Sequence, residues 1–326
     1  MMKKILLFIT TLLTAISVSN GYGATDYLKG SINITTFLDW FNIAHKYVHI
    51  KGIILLDLIP VLFLISQVII FYKDKKKYSA FFTIIALLAN LTGIFILTKL
   101  AYPIASQMAS WTSGSLPPNW ISLKDEWLNY IGLSSLVSMA GWLCFVITYF
   151  IDKRGNKQDI RLPGFLNFSK NVLIFLLIFI LGMGAGRLYE FFIFPISFEI
   201  SGITFIEMHR PVDIAIRKVG PILFTVIAAL HVLLITLFFV EKSKDKAWLI
   251  IASLIFLLCD TLIALRYNGP INDLFLTWTT TTIPANWSSI RDEWLSYHLY
   301  RNIFITLGII SILLSFFVKK NEIKAL

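Results

Sequence analysis

Apolar runs of about 20 residues alternate along the chain with short polar connections. They fall at about 49–72, 79–102 and 130–151, and again at about 171–193, 214–240, 247–266 and 300–318. A helix of ~20 residues, rising 1.5 Å per residue, crosses a hydrocarbon layer of ~30 Å, so each run predicts a transmembrane helix. An earlier run, Ile5 to Val18 behind Met1-Met-Lys-Lys4, has the charge and length of a signal peptide, with Gly21 and Gly23 as small residues around a cleavage point. Read instead as a retained first span, it brings the set to eight. Residues 22–48 then read as a polar-aromatic loop.

The pattern repeats. Residues 103–135 align without a gap onto 270–302, an offset of 167, with 13 of 33 positions identical. The matched pairs include Pro103/Pro270, Trp111/Trp278, Pro117/Pro284, Asn119/Asn286, Trp120/Trp287, Asp125/Asp292, Glu126/Glu293 and Trp127/Trp294. The same offset lays the 171–193 run over residues 4–26, which favours a retained first helix over a leader. The expected fold is an all-α polytopic membrane protein of about eight helices in two parallel-oriented four-helix bundles. These are residues 1–151 and 170–326, joined by a linker at 152–169.

Composition agrees with a bilayer as solvent: 57% of residues are hydrophobic and 15% charged. The formal charge of +10 suggests nucleic acid at first sight, but no basic aromatic repeat or nucleic-acid motif accompanies it. The basic residues instead mark topology. Lys3-Lys4, Lys73 to Lys77, the 152–161 cluster, Lys242 to Lys246 and Lys319-Lys320 lie between alternate spans and so share one face. The positive-inside rule makes that face cytoplasmic, which puts both aromatic motifs outside, on the periplasmic side of a bacterial inner membrane. The two cysteines, Cys144 and Cys259, sit in apolar runs and predict no disulfide.

Ionisable groups at membrane depth are costly, so each is a candidate functional group. They are concentrated in the second half: Arg187, Glu190, His209, Arg210, Asp213, Asp260, Arg266, Arg291, His298 and Arg301. At the 167 offset Glu190 faces Gly23, His209 faces Asn42, Asp213 faces Lys46 and Asp260 faces Gly93. Asn272 faces Ala105, His298 faces Ile131 and Arg301 faces Ser134. The scaffold residues are duplicated and the reactive ones are not, which predicts one complete site, in the second half. Arg291, Trp294, His298 and Arg301 fall within an arc of roughly 80° on one helical face. His209 and Asp213 are one turn apart, a spacing that suits a histidine held by a carboxylate or an ordinary helix pair.

The candidates for proton transfer and charge stabilisation are His298, Arg301, Arg291, His209 and Glu190. Those for substrate binding are Asn272, Trp278, Trp287, Trp294, Arg266 and Asp213. Structural readings stand beside them. The tryptophans suit interfacial anchors, and Asp292 and Glu293 suit a helix start. Arg291 suits an interfacial ion pair, and Gly182, Gly184 and Gly186 suit close helix packing. His231 lies deeper and reads as core. A transition metal on His209, His298 and Glu190 is one cofactor reading, although no HExxH or ExxH spacing is present. A metal-free acid–base site is the other.

The pattern Asn272…Trp278…Pro284-x-x-Trp287-x-x-x-Arg291-x-x-Trp294-x-x-x-His298-x-x-Arg301 resembles the anthrone oxygenase-like family of four-span membrane proteins. Phe194-Pro195, Phe205-Ile-Glu-Met-His-Arg210 and Gly220-Pro221 resemble that family's first two helices. The resemblance covers about 171–318, and the first half departs from it at Lys124, Ile131 and Ser134. It implies oxygen insertion into an anthrone-type polyketide without an organic cofactor.

Three functions follow as expectations. One is an oxidoreductase acting on a hydrophobic phenolic or quinone-like molecule at the external face. Another is a non-enzymatic module binding a lipid, quinone or partner protein. The third is a permease, for which no broken helix recurs at matching positions of the two halves.

The topology is open to direct measurement. In a background with Cys144 and Cys259 replaced by alanine, single cysteines at Lys76 and Ser243 are expected to react with an impermeant thiol reagent only from the cytoplasmic side. Those at Gly114 and Thr281 are expected to react only from the other. Labelling of Gly114 and Thr281 from opposite sides would overturn the parallel arrangement.

Overall fold

A computed structural model describes residues 3, 6, 7, 9–11, 13–15, 32–151, 164–193 and 196–318, with the side chains of 48–54, 164–165 and 186–193 outside that set. The possible cleavage point, the C-terminal lysines and most of the linker lie outside the described residues. Among those described there is no strand, and seven helices are long and apolar enough to cross a membrane. The chain is an all-α polytopic membrane protein.

In chain order the helices are α1 (Ile34–Gly52), α2 (Ile59–Lys73), α3 (Lys77–Phe95), α4 (Tyr102–Met108), α5 (Trp120–Ile147) and α6 (Gly164–Ile193). After them come the short α7 (Ile196–Glu199), α8 (Gly202–Val240), α9 (Lys244–Ile263), α10 (Gly269–Thr277) and α11 (Trp287–Ser315). Three π-helical segments, Ile53–Leu58, Ile96–Ala101 and Ala264–Asn268, join α1 to α2, α3 to α4 and α9 to α10. Each is followed within two residues by Pro60, Pro103 or Pro270. Proline lacks an N–H and its ring collides with the carbonyl four residues back, so the preceding turn widens while the helix continues. Two of the three, Ile96–Ala101 and Ala264–Asn268, therefore recur at matching places in the two halves, as widened turns and not as breaks.

The expected loop at 22–48 is helical from Ile34 onward. The reason is visible in its spacing: Phe37, Leu38, Phe41 and Ala44 are buried on one face, at the intervals a helix needs. The helical rods consequently outrun the bilayer. The 39 residues of α8 measure about 58 Å, roughly twice the hydrocarbon thickness. Counting ~20 residues from the basic end of each rod puts the second boundary near Gly220, Ala264 and Leu295. Beyond it the helices continue as a polar-aromatic extension.

The basic connections share one end. Lys3 pairs with Asp74, and Lys3, Asp74, Lys76, Tyr149 and Phe316 line one cleft there. The turns after α2 and α8 have the same geometry, with Lys75 at φ 57° and Lys242 at φ 58°. In each, the next residue's N–H returns to the carbonyl five back, Lys76 to Phe71 and Ser243 to Phe238. Lys170 and Glu241 pair at 2.8 Å, both buried.

In the first half α3 packs on α5, and in the second α9 packs on α11, with α6 and α8 against the latter pair. Small residues permit the close α3–α5 approach. A Cβ on Gly141 would meet Ala89 Cβ at 2.7 Å and the Ala86 carbonyl at 3.1 Å. The halves meet where Trp142 lies against Gly182, and where α1 reaches α7 and α8. At that second contact Asp39 accepts from the Ser201 N–H at 2.9 Å, Thr36 donates to Glu207, and Tyr47 donates to Glu199.

Gly141→Val is expected to lower stability by about 1–3 kcal/mol, measured by denaturant unfolding in detergent. A substitution of neutral effect would show that the α3–α5 contact is looser than its distances indicate.

Candidate functional site

The second-half polar residues converge where α8, α9–α10 and α11 cross the boundary away from the basic end. Phe205, His209 and Asp213 recur at intervals of four along α8, so all three face inward. Ser201 caps that helix by accepting the Thr204 N–H at 3.2 Å. Trp294, His298 and Arg301 project from one face of α11. The π segment and α10 bring Asn268, Asn272, Asp273 and Phe275 up to them.

Trp294 is the centre. The His209 ring stands edge-on to it at 5.0 Å between centroids, and the His298 ring at 4.1 Å. Phe205 stacks on His209 at 5.6 Å, and Phe275 meets His209 edge-on at 5.1 Å. The two imidazoles lie within electrostatic reach of each other. Aromatic edges and faces thus form an apolar box around two proton-accepting groups.

A chain of hydrogen bonds holds the box from outside. Trp294 Nε1–H donates to Asn272 Oδ1 at 2.6 Å, and Asn272 Nδ2 donates to Asp213 Oδ1 at 3.0 Å. Arg217 Nε donates to Asp213 Oδ2 at 2.6 Å, and Arg217 also pairs with Asp273 at 2.7 Å. Asn272 is also within hydrogen-bonding reach of His209. The carboxylate of Asp213 is therefore taken by Arg217 and Asn272, and it orients His209 through the amide.

Below the box, inside the hydrocarbon layer, Arg301 Nε donates to Asp260 Oδ1 at 2.8 Å. Each of these charges would be costly alone at that depth, and pairing compensates both. The first half shows what takes their place: Ser134 Oγ donates to the Gly93 carbonyl at 3.0 Å. A Cβ on Gly93 would lie 2.6 Å from Ser138 Oγ, so the helices there are too close for a longer pair.

The remaining candidates lie elsewhere. Arg291 is buried, but Asp292 holds its guanidinium at 2.8 Å, the Phe198 carbonyl accepts at 3.1 Å, and the Trp287 ring lies 4.7 Å away. Lys124 repeats this arrangement in the first half, beside Asp125 at 3.6 Å and over Trp120 at 6.0 Å. The interfacial ion pair therefore describes Arg291. Trp287 covers Gly202, where a Cβ would meet its ring at 3.0 Å. Trp278 is buried against Phe275, and its carbonyl accepts from Arg210. Arg266 is exposed within the π segment, and the Glu190 side chain lies outside the described residues. Among the described residues, no three His, Cys, Asp or Glu side chains come together as metal ligands.

His231 sits in the dry core, as expected. Its Nδ1–H reaches the Ile227 carbonyl at 2.8 Å and its Nε2 meets Ser253 Oγ at 3.0 Å. Arg217, Asp273 and Asn268 were not candidates in the sequence. Only Arg217, one turn beyond Asp213, carried a local signal. Asn268 Nδ2 donates to the Trp294 carbonyl at 3.0 Å, a contact between residues 26 apart that no spacing rule discloses.

Comparison with protein-family models, with curated proteins and with solved structures gives no match to this chain.

Removing one member of the buried ion pair, as in Asp260→Asn, is expected to cost about 3–5 kcal/mol because Arg301 is left uncompensated. The double change Asp260→Gly with Arg301→Ser, which installs the first-half pair, is expected to cost less than Asp260→Asn alone. Thermal or denaturant unfolding in detergent measures both, and additive losses would show that the two charges do not depend on each other.

Proposed function

We propose that the second half is a membrane-embedded oxidoreductase site for a flat hydrophobic molecule of phenolic or quinone-like type, reached from the external face or the outer leaflet. The observation that carries this reading is the pair of imidazoles on Trp294, walled by Phe205 and Phe275, with His209 Nε2 buried and lacking a hydrogen-bond partner. An apolar box selects a flat ring, and a basic nitrogen inside it acts on an acidic proton of that ring. The recurrence of helix starts at Trp120 and Trp287, 167 residues apart, supports a duplicated scaffold whose first copy lacks these groups.

In this reading His209 accepts the proton and Asn272 holds the imidazole in place. His298 stands edge-on to Trp294, within electrostatic reach of His209, and takes part in balancing the developing charge. Arg301 balances that charge from below through its link to Asp260. Arg291 anchors the start of α11. The resemblance to anthrone oxygenase-like proteins supplies the reaction: a ring CH₂ gives up a proton, the carbanion reduces dioxygen, and CH₂ plus O₂ becomes C=O plus H₂O.

The test is oxygen uptake by purified protein with anthrone as probe. His209→Ala is expected to lower the rate by at least about 100-fold, the scale of a lost general base, with the unfolding midpoint little changed. A rate within about threefold of wild type would remove His209 from the chemistry. The non-enzymatic binding reading uses the same box, and it would be supported if wild-type protein bound anthrone and consumed no oxygen.

A further inference from the structure

Among the described residues, the buried side-chain atoms without a hydrogen-bond partner include His209 Nε2 and Asn268 Oδ1 beside the box and Asn302 Oδ1 below it on α11. Asn268 is 1% exposed and Asn302 2% exposed, so bulk water does not satisfy them. Leaving a polar atom buried and unpaired costs on the order of 1–3 kcal/mol, so three such acceptors in the second half point to a donor that belongs there.

All three are acceptors. The orientation of Asn268 is set because its Nδ2 donates to the Trp294 carbonyl, which leaves the oxygen free. Asn272 Oδ1 already receives Trp294 Nε1–H and has a second lone pair for the His209 ring. With Nε2 unpartnered, that contact runs through Nδ1–H, and Nε2 is left as the basic nitrogen.

Their placement follows the face of α11 that the box uses. Asn268 sits at the level of Trp294. Asn302 lies one turn below His298, about 6 Å along the axis, and 40° around it. The first half has Ala101 and Ser135 at the corresponding positions, so these acceptors, like the histidines, are confined to the second half.

We infer that Asn268 and Asn302 are ligand-orienting residues, and that the site selects the reduced, hydroquinone form of an aromatic ligand over forms without O–H donors. The inference rests on the quinone-like reading above and adds the redox state. A hydroquinone presents hydroxyl groups at both ends of one ring and can donate outward, along the ring's long axis, to two acceptors about two helical turns (~12 Å) apart. The oxidised quinone carries only acceptors, which would face three further acceptors across a dry site.

The experiment is anaerobic titration calorimetry of the purified full chain with 1,4-naphthohydroquinone and with its donor-free relative 1,4-dimethoxynaphthalene. Wild type is expected to bind the hydroquinone at least about 10-fold more tightly. Asn302→Leu, close in size and without the acceptor, is expected to reduce that preference to about threefold or less. Asn302→Ala serves the same purpose if the leucine variant does not elute as a folded species. Equal binding of the two probes by wild type, or an undiminished preference in both variants, would overturn the inference while leaving the apolar box as a ligand site. Binding of neither probe would overturn this inference and the quinone-like reading together.

Discussion

Arg301 and Asp260 meet at 2.8 Å between α11 and α9, in the layer where the chain is otherwise surrounded by hydrocarbon. Neither charge is tolerable there alone, so each requires the other helix at a fixed height and rotation. That constraint sets the register of the pair. With Arg301 level with Asp260, Trp294 comes level with Asn268, and His298 lies beside the widened turn between them. The box around Trp294 follows from this register. So does the difference from the first half, where Ser134 and Gly93 allow the corresponding helices to close up.

The proline-linked π segments extend the same logic. A regular helix through Ala264–Asn268 would continue the rotation of α9, whereas one widened turn changes the direction in which α10 presents its side chains. Asn272, Asp273 and Phe275 reach the α8–α11 groove by that change. The matching segment at Ile96–Ala101 does the same for the first half, yet it delivers Ala105 and Met108, which only pack. Both halves thus carry a widened turn at this place, and the polar residues Asn272 and Asp273 come beside the second one.

The two boundaries of the membrane are managed differently. At the basic end, the buried pair Lys170–Glu241, the exposed pair Lys3–Asp74 and αL lysine turns close the helices off. At the other end the helices run on past the hydrocarbon, and the halves are tied there by Asp39 to Ser201 and by Tyr47 and Lys46 to Glu199. The cluster around Trp294 therefore has a polar-aromatic extension on one side and the hydrocarbon layer on the other.

Much of this was determined by the order of residues alone. Span lengths, the shared basic face, the 167-residue offset and the concentration of ionisable groups in the second half are one-dimensional quantities, set by hydrocarbon thickness and the cost of charge. His209, Asp213, His298 and Arg301 stand out in the sequence for that reason. Which of them meet was decided only in three dimensions. Arg291 shares the helical face of His298 yet is held by Asp292, Trp287 and a carbonyl from residue 198. Asp260, six residues from Arg266 in sequence, instead pairs with Arg301, 41 residues away. Helical periodicity ranks positions on one rod. The rotation and height of the neighbouring rod come from packing and from the pairing of buried charges, and no local pattern encodes them.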